Sequence, residues 1–293
     1  MIFDAVVDII IDAGIDTLKI IPFLFLAFLV MEYIESAANR GSVRVLTRTR
    51  FFGPFWGAAA GIIPQCGFSA SASGLFSGGV ITLGTLMAVY LSTSDEMIPI
   101  FFSAHVPLST LMPILLLKGL IGMVSGFLID AFMMKLHRRH DRKKSIHDLC
   151  EHDHCHCEND GGILVPAMRH TVQIAAYIFL ASAVITAVIN LIGQQRLGAL
   201  LQDIPVIGIF LSCLIGLIPN CAASVIITQM FLEGLIGTAQ MMSGLLVGAG
   251  VGILVLFRSN DNLLENIRIL ALLYGLGVIW GLIIQFSGLS FAV

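Results

Sequence analysis

Long apolar stretches alternate with short polar loops along this 293-residue chain. A helix rises 1.5 Å per residue, so about 20 apolar residues cross the hydrocarbon core of a bilayer. Six stretches have that length and predict single spans: 17–37, 79–102, 110–134, 170–192, 235–257 and 267–286. Two further apolar stretches, 51–77 and 205–232, are interrupted by a proline and polar residues. The pattern predicts an all-α polytopic membrane protein.

The composition supports the same interpretation. Hydrophobic residues make up 57% of the chain and charged residues 12%, whereas soluble domains contain about 25% charged residues. The mean hydropathy is +0.94. The formal net charge is −3, and the charges are confined to a few loops. We therefore expect the lipid bilayer to surround the protein, and we expect no nucleic-acid partner.

Acidic residues recur at every fourth position near the amino terminus, at Asp4, Asp8, Asp12 and Asp16. Side chains four residues apart share one face of a helix, so residues 1–16 are predicted to form an amphipathic helix at the membrane interface. An acidic mouth that collects cations is the alternative role. No Lys or Arg precedes Lys19, so the basic region of a secretory signal is missing and we expect the segment to be retained.

The chain matches itself at an offset of 155 residues. Ten of the 31 ungapped positions from 61 to 91 are identical to their counterparts, for example Cys66 and Cys221. The same offset later pairs Gly122 with Gly277. A tandem duplication is the simplest explanation, with a first transmembrane repeat at 17–134 and a second at 170–293.

Basic residues are distributed differently in equivalent loops of the two repeats. The loop after the first span contains Arg40, Arg44, Arg48 and Arg50, and its counterpart contains only Arg196. The loop at 103–109 contains none, and its counterpart contains Arg258 and Arg268. Cytoplasmic loops carry the excess of Lys and Arg, so equivalent loops are predicted to face opposite sides. This is the pattern of inverted-topology repeats in secondary transporters.

The connector at 135–169 is strongly basic and is expected to be cytoplasmic. An even number of crossings must then separate residue 51 from residue 134. Two short helices that meet at Pro64 satisfy this condition, whether they form a re-entrant hairpin or cross twice. The predicted fold has about ten membrane segments with broken helices, and its amino terminus is outside.

A Pro-x-Cys motif stands at the break of each interrupted stretch. Proline frees backbone carbonyls, and exposed backbone at membrane depth is tolerated only where it is buried in protein or lines a cavity. Inverted symmetry would bring the two breaks together near the midplane. The predicted substrate site comprises Pro64, Gln65, Cys66 and Ser69 together with Pro219, Asn220, Cys221 and Ser224. The alternative is a kinked helix in which each Cys is a small buried hydrophobic residue.

Asp95 and Glu96 lie inside the predicted span 79–102, and their counterparts 155 residues later are Gly250 and Val251. A carboxylate inside a membrane is costly, which makes the pair a candidate for proton or cation coupling. An interfacial helix cap is the alternative. Lys118 is another charge in an apolar stretch, and either it faces the helix bundle or its side chain reaches toward an interface.

The connector concentrates metal-binding side chains. Six of the eight His and three of the six Cys lie between residues 137 and 157. Imidazole and thiolate are ligands of zinc and of softer metals. The candidate metal ligands are Cys150, His152, His154, Cys155, His156 and Cys157. Because the cytosol is reducing, these thiols indicate a metal-collecting loop and not disulfides. A plain solvated loop is the alternative.

The paired Ile-Pro64-Gln65-Cys66-Gly and Ile-Pro219-Asn220-Cys221-Ala motifs, the Ser-Thr-Ser-Asp95-Glu96 stretch and the His/Cys-rich connector resemble the ten-transmembrane heavy-metal exporter family. Its members are labelled arsenic efflux proteins or manganese transporters, and it is related to arsenic permeases. The resemblance covers nearly the whole chain. It implies export across the inner membrane of a prokaryote.

The expected function is secondary, proton-coupled export of a heavy metal or metalloid, either a divalent cation such as manganese or arsenite. No Walker A loop or His-Glu-x-x-His motif is present, so we expect neither an enzyme nor a resident cofactor. A sulfur-oxyanion permease and a membrane metal sensor are the alternatives. The oligomeric state stays open between a monomer and a homo-oligomer.

Overall fold

The computed structural model describes residues 11–30 (without 12, 16, 23 and 27), 52–136 (without 64, 95 and 96), 164–192 and 205–291. These residues form helices joined by turns, and no strand occurs among them. The predicted all-α class is therefore confirmed for the described part of the chain.

The residues that the structure describes contain twelve helices, numbered in chain order. They are α1 (Ala13–Val30), α2 (Gly53–Ile62), α3 (Cys66–Ser77), α4 (Leu83–Ser92), α5 (Met97–Ser103), α6 (Leu108–Leu136), α7 (Leu164–Ile192), α8 (Pro205–Gly216), α9 (Cys221–Leu232), α10 (Thr238–Val247), α11 (Gly252–Ser259) and α12 (Leu263–Ser287).

Within the described part of the chain, four segments are long and apolar enough to cross a membrane: Ala13–Val30, Leu108–Lys135, Thr238–Ser259 and Leu263–Ser287. Shorter apolar helices accompany them, including Val206–Gly216 and Cys221–Leu232. Many large apolar side chains on the outer faces of these helices are exposed, as expected where lipid takes the place of water. The chain is therefore a helical membrane protein.

Helices in the two halves occupy the same register. α3 and α9 begin and end 155 residues apart, as do α4 and α10, and α6 and α12 begin 155 residues apart. Their contacts also correspond: α2 packs on α4 as α8 packs on α10, and α3 contacts α11 while α9 contacts α5. The last two contacts join the halves. They are equivalent, because α3 corresponds to α9 and α11 corresponds to α5 in the repeat.

The two interruptions predicted at the Pro-x-Cys motifs are present. α2 ends at Ile62 and α3 begins at Cys66, and in the second half α8 ends at Gly216 and α9 begins at Cys221. Each apolar stretch is therefore a pair of short helices.

The apolar stretches at 79–102 and 235–257, each predicted to be a single span, are not continuous helices. Each stretch is a pair of short helices, α4 with α5 and α10 with α11. In the first half, Ser92 and Thr93 hydroxyls donate to carbonyls of the preceding turn at Ala88 and Val89, and such bonds compete with the helix ladder. In the second half, Gly250 has φ +53°, a left-handed conformation that ends a helix.

Glycines permit two helices of the same half to approach closely, at equivalent places in the two halves. A Cβ at Gly61 would lie 2.7 Å from the carbonyl oxygen of Val89, and one at Gly216 would collide with the carbonyl oxygen of Gly244. Val89 and Gly244 are themselves 155 residues apart. The short helix before each Pro-x-Cys motif therefore contacts backbone atoms of a neighbouring helix, α2 those of α4 and α8 those of α10.

Several predicted features lie outside the described residues. They are the acidic positions Asp4, Asp8, Asp12 and Asp16, the arginine-rich loop at 31–50, and the connector's metal-ligand cluster at 150–157. α7 begins at Leu164, within the predicted connector at 135–169.

Candidate functional site

The thiols of Cys66 and Cys221 meet between the two halves. Their Sγ atoms are 3.8 Å apart, although the residues are 155 positions apart in the chain. Both side chains are partly buried and neither is in a disulfide. The structure therefore brings together the two cysteines that the sequence placed at equivalent breaks.

Each thiol belongs to the first residue of a helix. The preceding residues, Gln65 and Asn220, are extended, with φ −157° and −148°. The Asn220 side-chain oxygen accepts a hydrogen bond of 2.9 Å from the Ala222 N–H and so caps α9. The amino end of a helix carries about half a positive charge, which attracts anions.

The two predicted serines also occupy equivalent places. Ser69 donates to the Cys66 carbonyl and Ser224 donates to the Cys221 carbonyl, each at 2.8 Å. Their hydroxyl protons are therefore directed back along their own helices, and their oxygens retain acceptor capacity. Ser69 is fully buried, whereas Ser224 lines a cavity beside Cys221.

The remaining predicted tip residues differ in their surroundings. Gln65 donates its amide to the carbonyl oxygen of Lys19 in α1 at 3.1 Å, so this side chain joins the break to the first helix. Asn220 lines the cavity. Pro219 lies in the turn between α8 and α9, and Pro64 lies outside the described residues.

A small cavity lies next to Cys221. It is enclosed by the start of α9 and by the carboxyl ends of α4 and α10, so both halves contribute to it. Its lining residues are Thr93, Ser94, Met97, Lys118, Gly216, Asn220, Cys221, Ala223, Ser224, Leu245, Gly248 and Gly250.

Lys118 is the functional candidate that the sequence left undecided. Its side chain is only 1% exposed, so the alternative in which it reaches an interface is wrong. Its ammonium group donates to the carbonyl oxygens of Thr93 and Leu245, the latter at 3.1 Å. The equivalent position in the second half is Leu273, which is also buried. The sequence did contain a signal for this site, because the repeat alignment pairs the charged Lys118 with the apolar Leu273.

Helix ends of opposite polarity therefore converge on this region. The amino ends of α3 and α9 meet at the two thiols, and the carboxyl ends of α4 and α10 face the Lys118 ammonium. Broken helices whose ends point at a central site are typical of secondary transporters, where amino ends face anionic groups and carboxyl ends face cations.

A hydrogen-bonded cluster supports the α3 side of the site. Ser73 Oγ lies 2.6 Å from Tyr90 Oη, and both are within hydrogen-bonding distance of the Gly252 carbonyl oxygen, at 2.7 Å and 3.2 Å. Ser73 and Tyr90 are fully buried in the first half, and Gly252 begins α11 in the second. This cluster fixes α3 and α4 against the other half.

Asp95 and Glu96 lie outside the described residues. Their neighbours in the chain, Ser94 and Met97, both line the cavity. Among the residues that the structure describes, no three His, Cys, Asp or Glu side chains lie close enough together to hold a metal ion.

Comparison of the chain with protein-family models, with curated proteins and with solved structures found no match.

Proposed function

We propose that the chain is a secondary transporter that exports a heavy metal or metalloid across the inner membrane of a prokaryote. The carrying observation is the pair of thiols, Cys66 and Cys221, with sulfur atoms 3.8 Å apart at the amino ends of two short helices. Thiolate ligands select soft ions. The proposed substrate-binding groups are these two thiols with Asn220 and Ser224, which line the adjoining cavity.

The separation of the two sulfurs suits a shared thiophilic ion. Two thiolates bound to a tetrahedral metal at about 2.3 Å are about 3.8 Å apart, because the ligand–metal–ligand angle is near 109°. Arsenite is bound through the same groups when each thiol replaces one of its hydroxyls and releases water. A hard cation such as manganese prefers oxygen ligands, so the pair favours the soft substrates within the class that we expect.

Alternating access would follow from inverted repeats. Three observations support that architecture. Basic residues are distributed oppositely in equivalent loops, and equivalent helices begin 155 residues apart. The contact of α3 with α11 also has its equivalent in the contact of α9 with α5. Rocking one half against the other would open the thiol pair to each side in turn. In this arrangement the amino terminus is outside and residues 135–169 are cytoplasmic.

Asp95 and Glu96 are the proposed proton carriers. They stand in the chain between two residues that line the cavity. Two negative charges side by side in a membrane are costly, so a pair of carboxyl groups is suited to taking up and releasing protons. Export of the substrate would accompany entry of protons through this pair.

Survival of an efflux-deficient bacterium tests the proposal. Cells that express the protein are grown on arsenite, cadmium, zinc, cobalt, nickel and manganese, with substrate accumulation measured in parallel. We expect resistance to a soft ion, loss of that resistance in Cys66→Ser and Cys221→Ser, and reduced resistance in Asp95→Asn. Cys213→Ala is the matched control, since its thiol is buried against the Ser243 carbonyl. Unchanged resistance in both site variants would exclude the thiol site.

A sulfur-oxyanion permease is the second candidate. The Lys118 ammonium and the amino end of α9 border the same cavity, and both attract anions. Uptake of labelled thiosulfate or sulfate that is lost in Lys118→Met, without any metal resistance in the wild type, would favour this alternative. Deleting residues 145–160 tests the metal-sensor alternative, because a transporter retains its site without that loop.

A further inference from the structure

Burial of the Lys118 ammonium requires compensation. The side chain is 1% exposed in the middle of α6, and removing an ammonium ion from water costs several kcal/mol unless it is paired. The compensating groups that surround it include two main-chain carbonyl oxygens, from Thr93 and Leu245. Backbone carbonyls are the ligands by which transporters hold monovalent cations at broken helices.

Both carbonyls belong to helix carboxyl ends. Thr93 caps α4, and Leu245 lies in the last turn of α10. The helix ladder stops there, because the Ala249 N–H donates to Val247 and not to Leu245. Each carboxyl end carries about half a negative charge, so both ends attract the ammonium group.

We propose that the carboxyl ends of α4 and α10 form a monovalent-cation site and that the Lys118 ammonium is its built-in occupant. The site joins the halves, because Thr93 belongs to the first and Leu245 to the second. In the intact protein the ammonium keeps cations of the solution out of this site. A variant without the side chain exposes the same carbonyls to an exchangeable cation, such as sodium, ammonium or methylammonium.

The test uses the full-length protein in detergent and contains no transport substrate, so its outcome is separate from that of the proposed function. Lys118→Ala is expressed and purified in parallel in methylammonium chloride and in choline chloride at equal ionic strength. Thermal unfolding is then followed while sodium, ammonium or methylammonium replaces choline, which is too large for the space that the side chain vacates.

We expect Lys118→Ala to unfold at a lower temperature than the wild type in choline. Small cations should restore stability in a saturable way, by on the order of 5 °C. The wild type should not respond. Lys118→Met, which fills the space without charge, and Leu273→Ala, which removes a buried side chain at the equivalent position, should also show no cation-specific response.

Two results would overturn the inference. One is wild-type stability of Lys118→Ala in choline, and the other is a loss of stability that no small cation restores. If Lys118→Ala folds only when methylammonium is present, the site is supported. If it fails to fold in both salts, an exogenous cation does not replace the ammonium and the inference is wrong.

Discussion

Trp280 donates its indole N–H to Ser125 Oγ at 2.9 Å, and the two residues are 155 positions apart. They lie on α12 and α6, the equivalent long helices. Equivalent positions thus touch here as they do at Cys66 and Cys221, which gives the two halves a second contact between equivalent positions.

Breaking this contact should weaken the association of the halves. We expect Trp280→Phe and Ser125→Ala each to lower the free energy of unfolding by about 0.6–1 kcal/mol, the usual size of such bonds in membrane proteins. The double variant should cost no more than the larger single change, since both remove the same bond. Unfolding in mixed micelles measures all three. Additive losses would show that the side chains act separately.

The thiol separation predicts a cross-link. Cys66 and Cys221 need to approach from 3.8 Å to about 2.0 Å to form a disulfide, a small movement for two helix ends. In a background with serine at Cys150, Cys155 and Cys157 and a protease site in the connector, mild oxidation should keep the two fragments joined on a non-reducing gel.

Cys213 provides the control for the cross-link. Its replacement by alanine should leave the fragments joined, whereas Cys66→Ser should release them, because the Cys213 thiol contacts Ser243 on α10. Fragments that separate after oxidation of the Cys213→Ala protein would contradict the described geometry of the site.

Close backbone contact predicts unequal effects of alanine at two glycines. A Cβ at Gly216 would collide with the Gly244 carbonyl, whereas one at Gly275 meets nothing within 4 Å. We expect Gly216→Ala to destabilise the protein by about 1–3 kcal/mol through overpacking. Gly275→Ala should be neutral, or stabilising by up to about 1 kcal/mol, because alanine is the better helix former. Melting temperatures in detergent distinguish the two.

Asp130 connects α6 to the start of α4. Its carboxylate accepts hydrogen bonds from the Thr82 hydroxyl at 2.7 Å and the Gly84 N–H at 2.9 Å. Asp130→Ala would leave both donors without this acceptor, and we expect a loss of about 1–3 kcal/mol. Asp130→Asn keeps one acceptor oxygen and should lose less. Equal losses in the two variants would show that packing, and not hydrogen bonding, determines the effect.

Local patterns were sufficient to locate the breaks at the Pro-x-Cys motifs and the pairing of their thiols. Proline removes a hydrogen-bond donor from a helix, and repetition of the motif 155 residues later identified the partner. The serines beside the thiols followed from the same alignment. These predictions depended on covalent geometry and on the duplication, both of which are visible in one sequence.

Other features depended on the folded environment. The breaks after Ser92 and Val247 occur at hydroxyl residues and glycines, which are also common in continuous membrane helices. A hydropathy window averages over such positions. The placement of Lys118 was undecided for a similar reason, because a long side chain reaches either the bundle or the interface, and only the neighbouring helix ends determine which.

The Lys118 position also constrains how this architecture can be assembled. An assembly of two identical half-length chains would supply two ammonium groups, or none, to the single place where the two helix ends meet. Because position 273 is leucine, only the first half supplies an ammonium group to these ends. Two copies of the first half should therefore not substitute for the whole, since two ammonium groups would then meet at one pair of helix ends.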